Sequence, residues 1–134
     1  MKVEQLMVRN VITAKEDDSL SSAMKLMKEN SIKHLPILNS SDHLVGIVTD
    51  RDIKRASASD ASMLEVHEML YLLDKVKIAQ IMTRNPVTGS PVMTVQEAAS
   101  LMVKNNIGCL PITIGQGLEG LMTVTDFLKY VANH

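Results

Sequence analysis

Apolar positions along this chain follow two alternating rhythms. Leu20, Ala23, Met24 and Met27 fall at helical spacing with Lys25, Lys28 and Glu29 on the other face, which predicts a helix over residues 19–30. Asn30 and Ser31 stop it, with Asn30 as a left-handed cap. Residues 32–38 and 44–48 read as strands, and Asn39-Ser40-Ser41-Asp42-His43 between them reads as the turn of a hairpin. A further helix starts after Thr49. Ahead of all this stands the short β-branched stretch Val11-Ile12-Thr13. The order is β-α-β-β-α.

The same order then returns. Met7-Val8-Arg9-Asn10-Val11-Ile12-Thr13 aligns with Met82-Thr83-Arg84-Asn85-Pro86-Val87-Thr88, with Met, Arg, Asn and Thr identical at an offset of 75. The offset holds through Leu26-Met27 on Leu101-Met102 to Leu35-Pro36-Ile37 on Leu110-Pro111-Ile112. Leu44, Gly46, Thr49 and Asp52 then match Leu118, Gly120, Thr123 and Asp126 at an offset of 74, so one residue is lost in the turn. In the second copy Thr94-Val95-Gln96-Glu97 reads as a capping box opening its first helix. Two copies therefore explain most of the chain, as an α+β protein with repeat 1 at 1–56, a helical connector at 57–76 and repeat 2 at 77–134. One small sheet cannot be buried by two helices, so the copies are expected to pack sheet to sheet. In the connector, Ser59-Asp60 can cap a helix carrying Met63, Val66, Met69, Leu70 and Leu73 as an exposed or interface stripe.

Composition narrows the function. Apolar residues make up 46% of the 134 and charged residues 22%, enough apolar surface to exclude disorder. No apolar run is long enough for a membrane span, and Lys2-Val3-Glu4-Gln5 does not open a secretory leader, so a cytoplasmic chain is expected. One cysteine forms no internal disulfide. A net charge of −1 and 2% aromatics argue against a nucleic-acid binder. The four histidines lack metal-ligand spacing: after His67-Glu68 a Tyr71 stands where a zinc helix needs its second His. No nucleophile and base pair can be named, so neither an enzyme nor a required cofactor is expected.

The repeated Thr-x-x-Asp, at 49–52 and 123–126, is the central chemical signal. Read as structure alone, it is close to a capping box, worth about 0.5–2 kcal/mol. Read as chemistry, a strand running into a helix start offers backbone N–H groups to a phosphate, and Asp accepts from a ribose diol. Gly46 and Gly120 just before it suit a ligand held close to the backbone.

Taken together, Met-x-Arg-Asn, the Leu-Pro strand and Gly-x-x-Thr-x-x-Asp resemble the CBS domain, in both copies and over essentially the whole chain. The resemblance implies a free-standing tandem pair, a Bateman module. The connector run from His67 to Lys75 is similar to acetoin-utilisation-type and inosine-monophosphate-dehydrogenase-like CBS proteins. It implies a regulatory module that binds an adenine nucleotide, NAD or S-adenosylmethionine in clefts between the copies, with no catalytic barrel. It implies further that Thr-x-x-Asp of one copy works with the first strand and Leu-Pro strand of the other. Candidate walls are then Ile12, Thr13, His34 and Pro36, with Val87, Thr88, Cys109 and Pro111 in the second copy, beside Thr49, Asp52, Thr123 and Asp126. The prolines also read as strand ends, and Ile12 and Val87 as plain core. The resemblance implies a homodimer, a disk of four CBS units that can signal to an effector protein. The other reading is a structural or interaction dimer with vestigial pockets.

The copies differ in charge. Copy 1 carries Lys33-His34, Arg51, Lys54 and Arg55 around its helix start, where copy 2 has Gly108-Cys109, Thr125, Leu128 and Lys129. Arg51 and Arg55 are therefore candidate phosphate contacts, or else part of a solvated basic face.

Overall fold

Each sequence copy closes its sheet with a segment that lies outside it. The computed structural model describes residues 1–61 and 66–133. Its contacts divide the chain into a first-repeat unit, Ile12–Asn85, and a second-repeat unit made of Met1–Val11 together with the chain from Pro86 onward. The division at Val11 falls inside the first sequence copy.

In the first-repeat unit, β1 (Ala14–Lys15) leads to α1 (Leu20–Glu29), the hairpin β2 (His34–Leu38) and β3 (Leu44–Thr49), α2 (Asp50–Ala61) and α3 (Val66–Lys75). A 3₁₀ turn at Ile78–Gln80 and β4 (Thr83–Arg84) complete it. The sheet order is β1-β2-β3-β4, with β1 parallel to β2 and the other pairs antiparallel. Ala14, Ala23, Met27, Leu35, Ile37, Val48, Ile78 and Met82 form the core. In the second-repeat unit, a 3₁₀ turn at Val3–Gln5 is joined by α4 (Val95–Asn105), the hairpin β5 (Cys109–Ile114) and β6 (Gly117–Thr123), and α5 (Val124–Asn133). Single bridges, Gly89 to Ile112 and Val8 to Leu121, stand where the first-repeat unit has β1 and β4. Val3, Met7, Ala98, Met102, Leu110, Ile112 and Met122 form its core. The fold is α+β with two like repeats, each a sheet with helices. No helix among the described residues is long and apolar enough to cross a membrane.

Local sequence explains the helix ends. Ser19 caps α1 by accepting from the Ser22 N–H, and Thr94 with Glu97 forms the expected capping box on α4. The left-handed residue after α1 is Ser31 (φ 52°), not Asn30, whose φ is −102°. Asn30 instead folds its side-chain amide back onto the Leu26 carbonyl at 2.8 Å, as Asn105 does onto Leu101. The left-handed position of the second copy is Asn106, also one residue later than that amide.

Other expectations are corrected. Val11-Ile12-Thr13 is not a strand: pairing begins at Ala14, because the parallel ladder engages β2 only from Ile37. Ser59-Asp60 open no helix, since α2 runs through them to Ala61. Of the connector stripe, Leu73 is buried where α3 packs on α1, with Ser21 Oγ donating to Asp74. Met63 lies outside the described residues. The prolines do not end strands: Pro36 pairs with Ile47 and Pro111 with Leu121, inside their hairpins. The Pro111 carbonyl accepts from Gly89 N at 2.9 Å. A residue's N and O point to the same side of a strand, so the missing N–H falls on that thinly paired edge and not in the hairpin.

Gly46 and Gly120 also have a different purpose from the one expected. A Cβ on Gly46 would lie 2.5 Å from Met82 Sδ and 3.0 Å from the Thr83 carbonyl. On Gly120 it would lie 2.5 Å from Met7 Sδ and 2.9 Å from the Val8 carbonyl. The glycines admit a crossing backbone of the protein itself. Gly120→Ala and Gly46→Ala are therefore expected to cost about 1–3 kcal/mol each, as overpacking does. Gly117→Ala, whose nearest neighbour would be 3.6 Å away, should cost less. Urea midpoints of the three variants check this, and equal midpoints would refute it.

Candidate functional site at the strand-to-helix corners

Each repeat turns from its second hairpin strand straight into a helix, and the Thr-x-x-Asp motif makes the turn. In the first repeat the bonds are reciprocal: Thr49 N donates to Asp52 Oδ2 at 2.9 Å, and Asp52 N donates to Thr49 Oγ1 at 3.2 Å. In the second both bonds fall on one oxygen, Thr123 N and Thr123 Oγ1 donating to Asp126 Oδ2 at 2.8 and 3.1 Å. The capping box is thus complete at the first corner, and at the second only its bond from Thr N–H to Asp is formed. All four residues are half-buried, and the other oxygen of each Asp makes no hydrogen bond among the described residues.

The Leu-Pro strand of the same copy lies alongside. His34 is in register with Thr49, and Cys109 with Thr123. Two further bonds tie the corners, Asp50 N to the Lys33 carbonyl at 3.0 Å and Val124 N to the Gly108 carbonyl at 3.3 Å. Pro36 and Pro111 are buried two residues on. The parallel register brings Ile12 and Thr13 to the level of Leu35 and Pro36, and Val87 and Thr88 to the level of Leu110 and Pro111. Ile12 and Val87 pack on their cores, Thr13 is half-buried and Thr88 exposed. Within each unit, then, the motif neighbours the strands of its own copy. Arg51 and Arg55 are exposed, one turn apart on α2.

The two corners differ electrostatically where they match in space. Burial holds His34 below the ordinary imidazole value of 6.5, opposed by the Asp50 carboxylate and reinforced by Lys33. Burial pushes the Cys109 thiol up to about 12, with the Asp126 carboxylate adding to it, so this cysteine is inert. No group of three or more metal-ligating side chains occurs among the described residues.

Sequence reading missed the work of the Met-x-Arg-Asn motif. Arg9 Nη2 donates to the Glu4 carbonyl at 2.9 Å and Arg84 Nη2 to the Ala79 carbonyl at 3.1 Å. Each Arg thus clamps the 3₁₀ turn before it, while Met7 and Met82 are buried beside the glycines. The identical residues at an offset of 75 were the available signal.

The CBS domain family matches this chain twice, over residues 3–59 and 78–133. The chain belongs to the CBS domain family. The AcuB protein of Vibrio cholerae, of acetoin-utilisation type, shares 30% identity and a TM-score of 0.82 over 99% of this chain and 91% of that one. The CBS domain pair of protein MJ0100, in complex with 5′-methylthioadenosine and S-adenosyl-L-methionine, shares 29% identity at a TM-score of 0.85, over 99% and 97%. Inosine-5′-monophosphate dehydrogenase of Methanocaldococcus jannaschii is 32% identical over 96% of this chain, which covers 23% of that enzyme. Both similarities suggested by the connector and the repeats are therefore found, and the chain is a tandem CBS pair.

The depressed His34 value gives a stability prediction. The unfolded chain takes up a proton near pH 6.5, whereas the folded protein resists it until a lower pH. His34 thus contributes no penalty above about pH 6.5, and stability falls as the pH drops through the interval between the two values. His34→Gln should flatten that part of the pH–stability curve, measured by urea unfolding at half-unit steps. An unchanged slope would show that His34 titrates as it does in the unfolded chain.

Proposed function

We propose that this CBS pair is a non-catalytic regulatory module that binds an adenosine-containing ligand at its strand-to-helix corners and works as a homodimer. One observation carries the reading. Asp52 and Asp126 each bond the backbone of the Thr three residues earlier through a single carboxylate oxygen, and the second oxygen has no hydrogen bond among the described residues. That oxygen suits a ribose diol, and the positive end of the helix dipole suits a phosphate. A purine between apolar strand residues needs only backbone groups. The MJ0100 pair, of the same fold at 29% identity, was crystallised with two such adenosyl compounds. Its two ligands make S-adenosylmethionine as much a candidate here as AMP, ADP, ATP or NAD.

The capping geometry dictates the variant to use. Asp→Ala would remove the cap along with the ligand contact. Asp52→Asn keeps one acceptor for Thr49 N and turns a donor toward the ribose. Calorimetric titration against the adenosyl panel should show binding by the wild type. Asp52→Asn should weaken it about ten- to a hundredfold with little change in melting temperature. No binding at millimolar ligand would remove the proposal.

The exposed cations of α2 separate ligands. Arg51→Ala with Arg55→Ala should weaken ATP binding much more than adenosine binding. Raising salt from low to physiological should do the same, because surface ion pairs are screened. Equal losses for both ligands would show that these arginines belong to a solvated face. The second reading, a structural or interaction dimer, is favoured by the Thr–Asp hydrogen bonds, a structural use that accounts for the motif by itself. It predicts an Asp52→Asn protein that dimerises and functions normally in the cell, and light scattering reports the mass.

A further inference from the structure

The chain enters both repeats through the same pair of bonds. Leu20 N donates to the Val76 carbonyl at 2.8 Å and Ile78 N to the Asp18 carbonyl at 2.9 Å. At an offset of 75, Val95 N donates to the Met1 carbonyl at 3.0 Å and Val3 N to the Met93 carbonyl at 2.9 Å. Ahead of Val76 stands α3, which packs on α1 with Leu73 buried and Asp74 accepting from Ser21 Oγ. In the second repeat the matching side of α4 is an open groove of about 440 Å³, lined by Met93, Gln96, Glu97, Ser100, Leu101 and Lys104. Gln96 holds the place of Ser21 and Met93 that of Asp18, the two residues that anchor the end of α3. This groove shares no residue with the one lined by Val103, Val124 and Phe127 on the α5 side.

We infer that the groove on α4 is a docking site for an amphipathic helix of a partner protein, seated as α3 is seated on α1. The first repeat supplies the template, and its bonds fix the direction: the C-terminal end of α3 lies at the N-terminal end of α1. A helix placed the same way on α4 has its last turn at Gln96 and Glu97. Gln96 and Lys104 are about 12 Å apart along α4, and a helix as long as α3 measures about 15 Å, so Lys104 falls near its first turn. The groove therefore takes an acidic first turn and a basic last turn, the charges that also suit the helix's own dipole. α3 has that pattern, with Glu68 in its first turn and Lys75 in its last. Met93 and Leu101 supply the apolar contact, as in other helix-in-groove recognition, and Met adapts to varied partners. No residue of either Thr-x-x-Asp corner lines the groove, so the inference stands apart from the ligand reading.

The sequence of α3 is the probe. Replacing Met1 by a second copy of residues 66–76 joins a helix to Lys2 as Val76 is joined to Lys77. This should raise the melting midpoint by about 3 °C or more, whereas the same residues in scrambled order should not. Added free, a fluorescein-labelled peptide of residues 66–76 should bind the wild-type protein, and Leu101→Glu should weaken that at least tenfold. Ser100→Trp fills the groove from an exposed position and should do the same without touching the core. Lys104→Glu should weaken binding about two- to fivefold, and a peptide with Glu68→Lys should recover the loss. Sedimentation of the protein alone should be the same with and without Ser100→Trp. A lower mass in the variant would show that a second copy fills the groove and would overturn the partner. No rise from the added helix, no peptide binding at millimolar concentration, or binding indifferent to both groove variants would overturn the site.

Discussion

In each unit a glycine and a methionine far apart in the chain meet so closely that a Cβ on the glycine would overlap the sulfur. Gly46 and Gly120 have no room for a Cβ because Met82 and Met7 occupy it, and the next residue of each crossing segment pairs with the strand beyond. In the first-repeat unit Gly46 faces Arg84 and Ile47 faces Thr83. In the second, Val8 and Leu121 exchange N–H···O bonds of 3.0 and 2.9 Å. These contacts close the fourth place of each sheet with a segment from outside the hairpin. The Arg clamp on the 3₁₀ turn then fixes where that segment enters. A methyl group at either glycine would push out the methionine, and with it a core side chain that is 7% exposed. Methionine suits the place, since its unbranched thioether fills irregular space next to a flat backbone.

What the sequence made legible follows the range of each interaction. The capping box at Thr94, the helix over Leu20–Glu29 and the hairpin turn at Asn39–His43 are decided within a few residues, and all were readable. The repeat itself made the fold readable twice over. Where reading failed, a distant partner decided. Ala14 is a strand residue and Thr13 is not, because Ile37 is where the neighbouring strand becomes available. Ser59 and Asp60 look like a helix start, yet α2 continues through them from a cap made by Thr49 and Asp52. Gly46 and Gly120 looked like room for a ligand because they precede the motif, and only the fold shows the methionines that fill that room. The hairpins that put His34 beside Thr49 and Cys109 beside Thr123 were legible. The division of labour within Thr-x-x-Asp was not, because capping and ligand binding ask for the same residues at the same spacing.

That overlap is resolved by counting hydrogen-bond capacity, and the two corners resolve it differently. At the first corner Thr49 Oγ1 accepts from Asp52 N, so its own proton stays available to an acceptor such as a phosphate oxygen. At the second corner Thr123 Oγ1 spends its proton on Asp126 Oδ2, so the hydroxyl offers lone pairs instead. Donor capacity therefore sits in the repeat that also carries Lys33, His34, Arg51 and Arg55. The repeat with Gly108, Cys109 and Thr125 at the matching places offers acceptors next to a thiol held neutral by burial. Under the proposed function, a ligand with a phosphate tail would find its complement at the first corner, and an uncharged or cationic adenosyl compound at the second. One backbone plan, repeated, thus presents two chemically opposite corners. The difference lies in side chains at matched positions and not in the path of the chain.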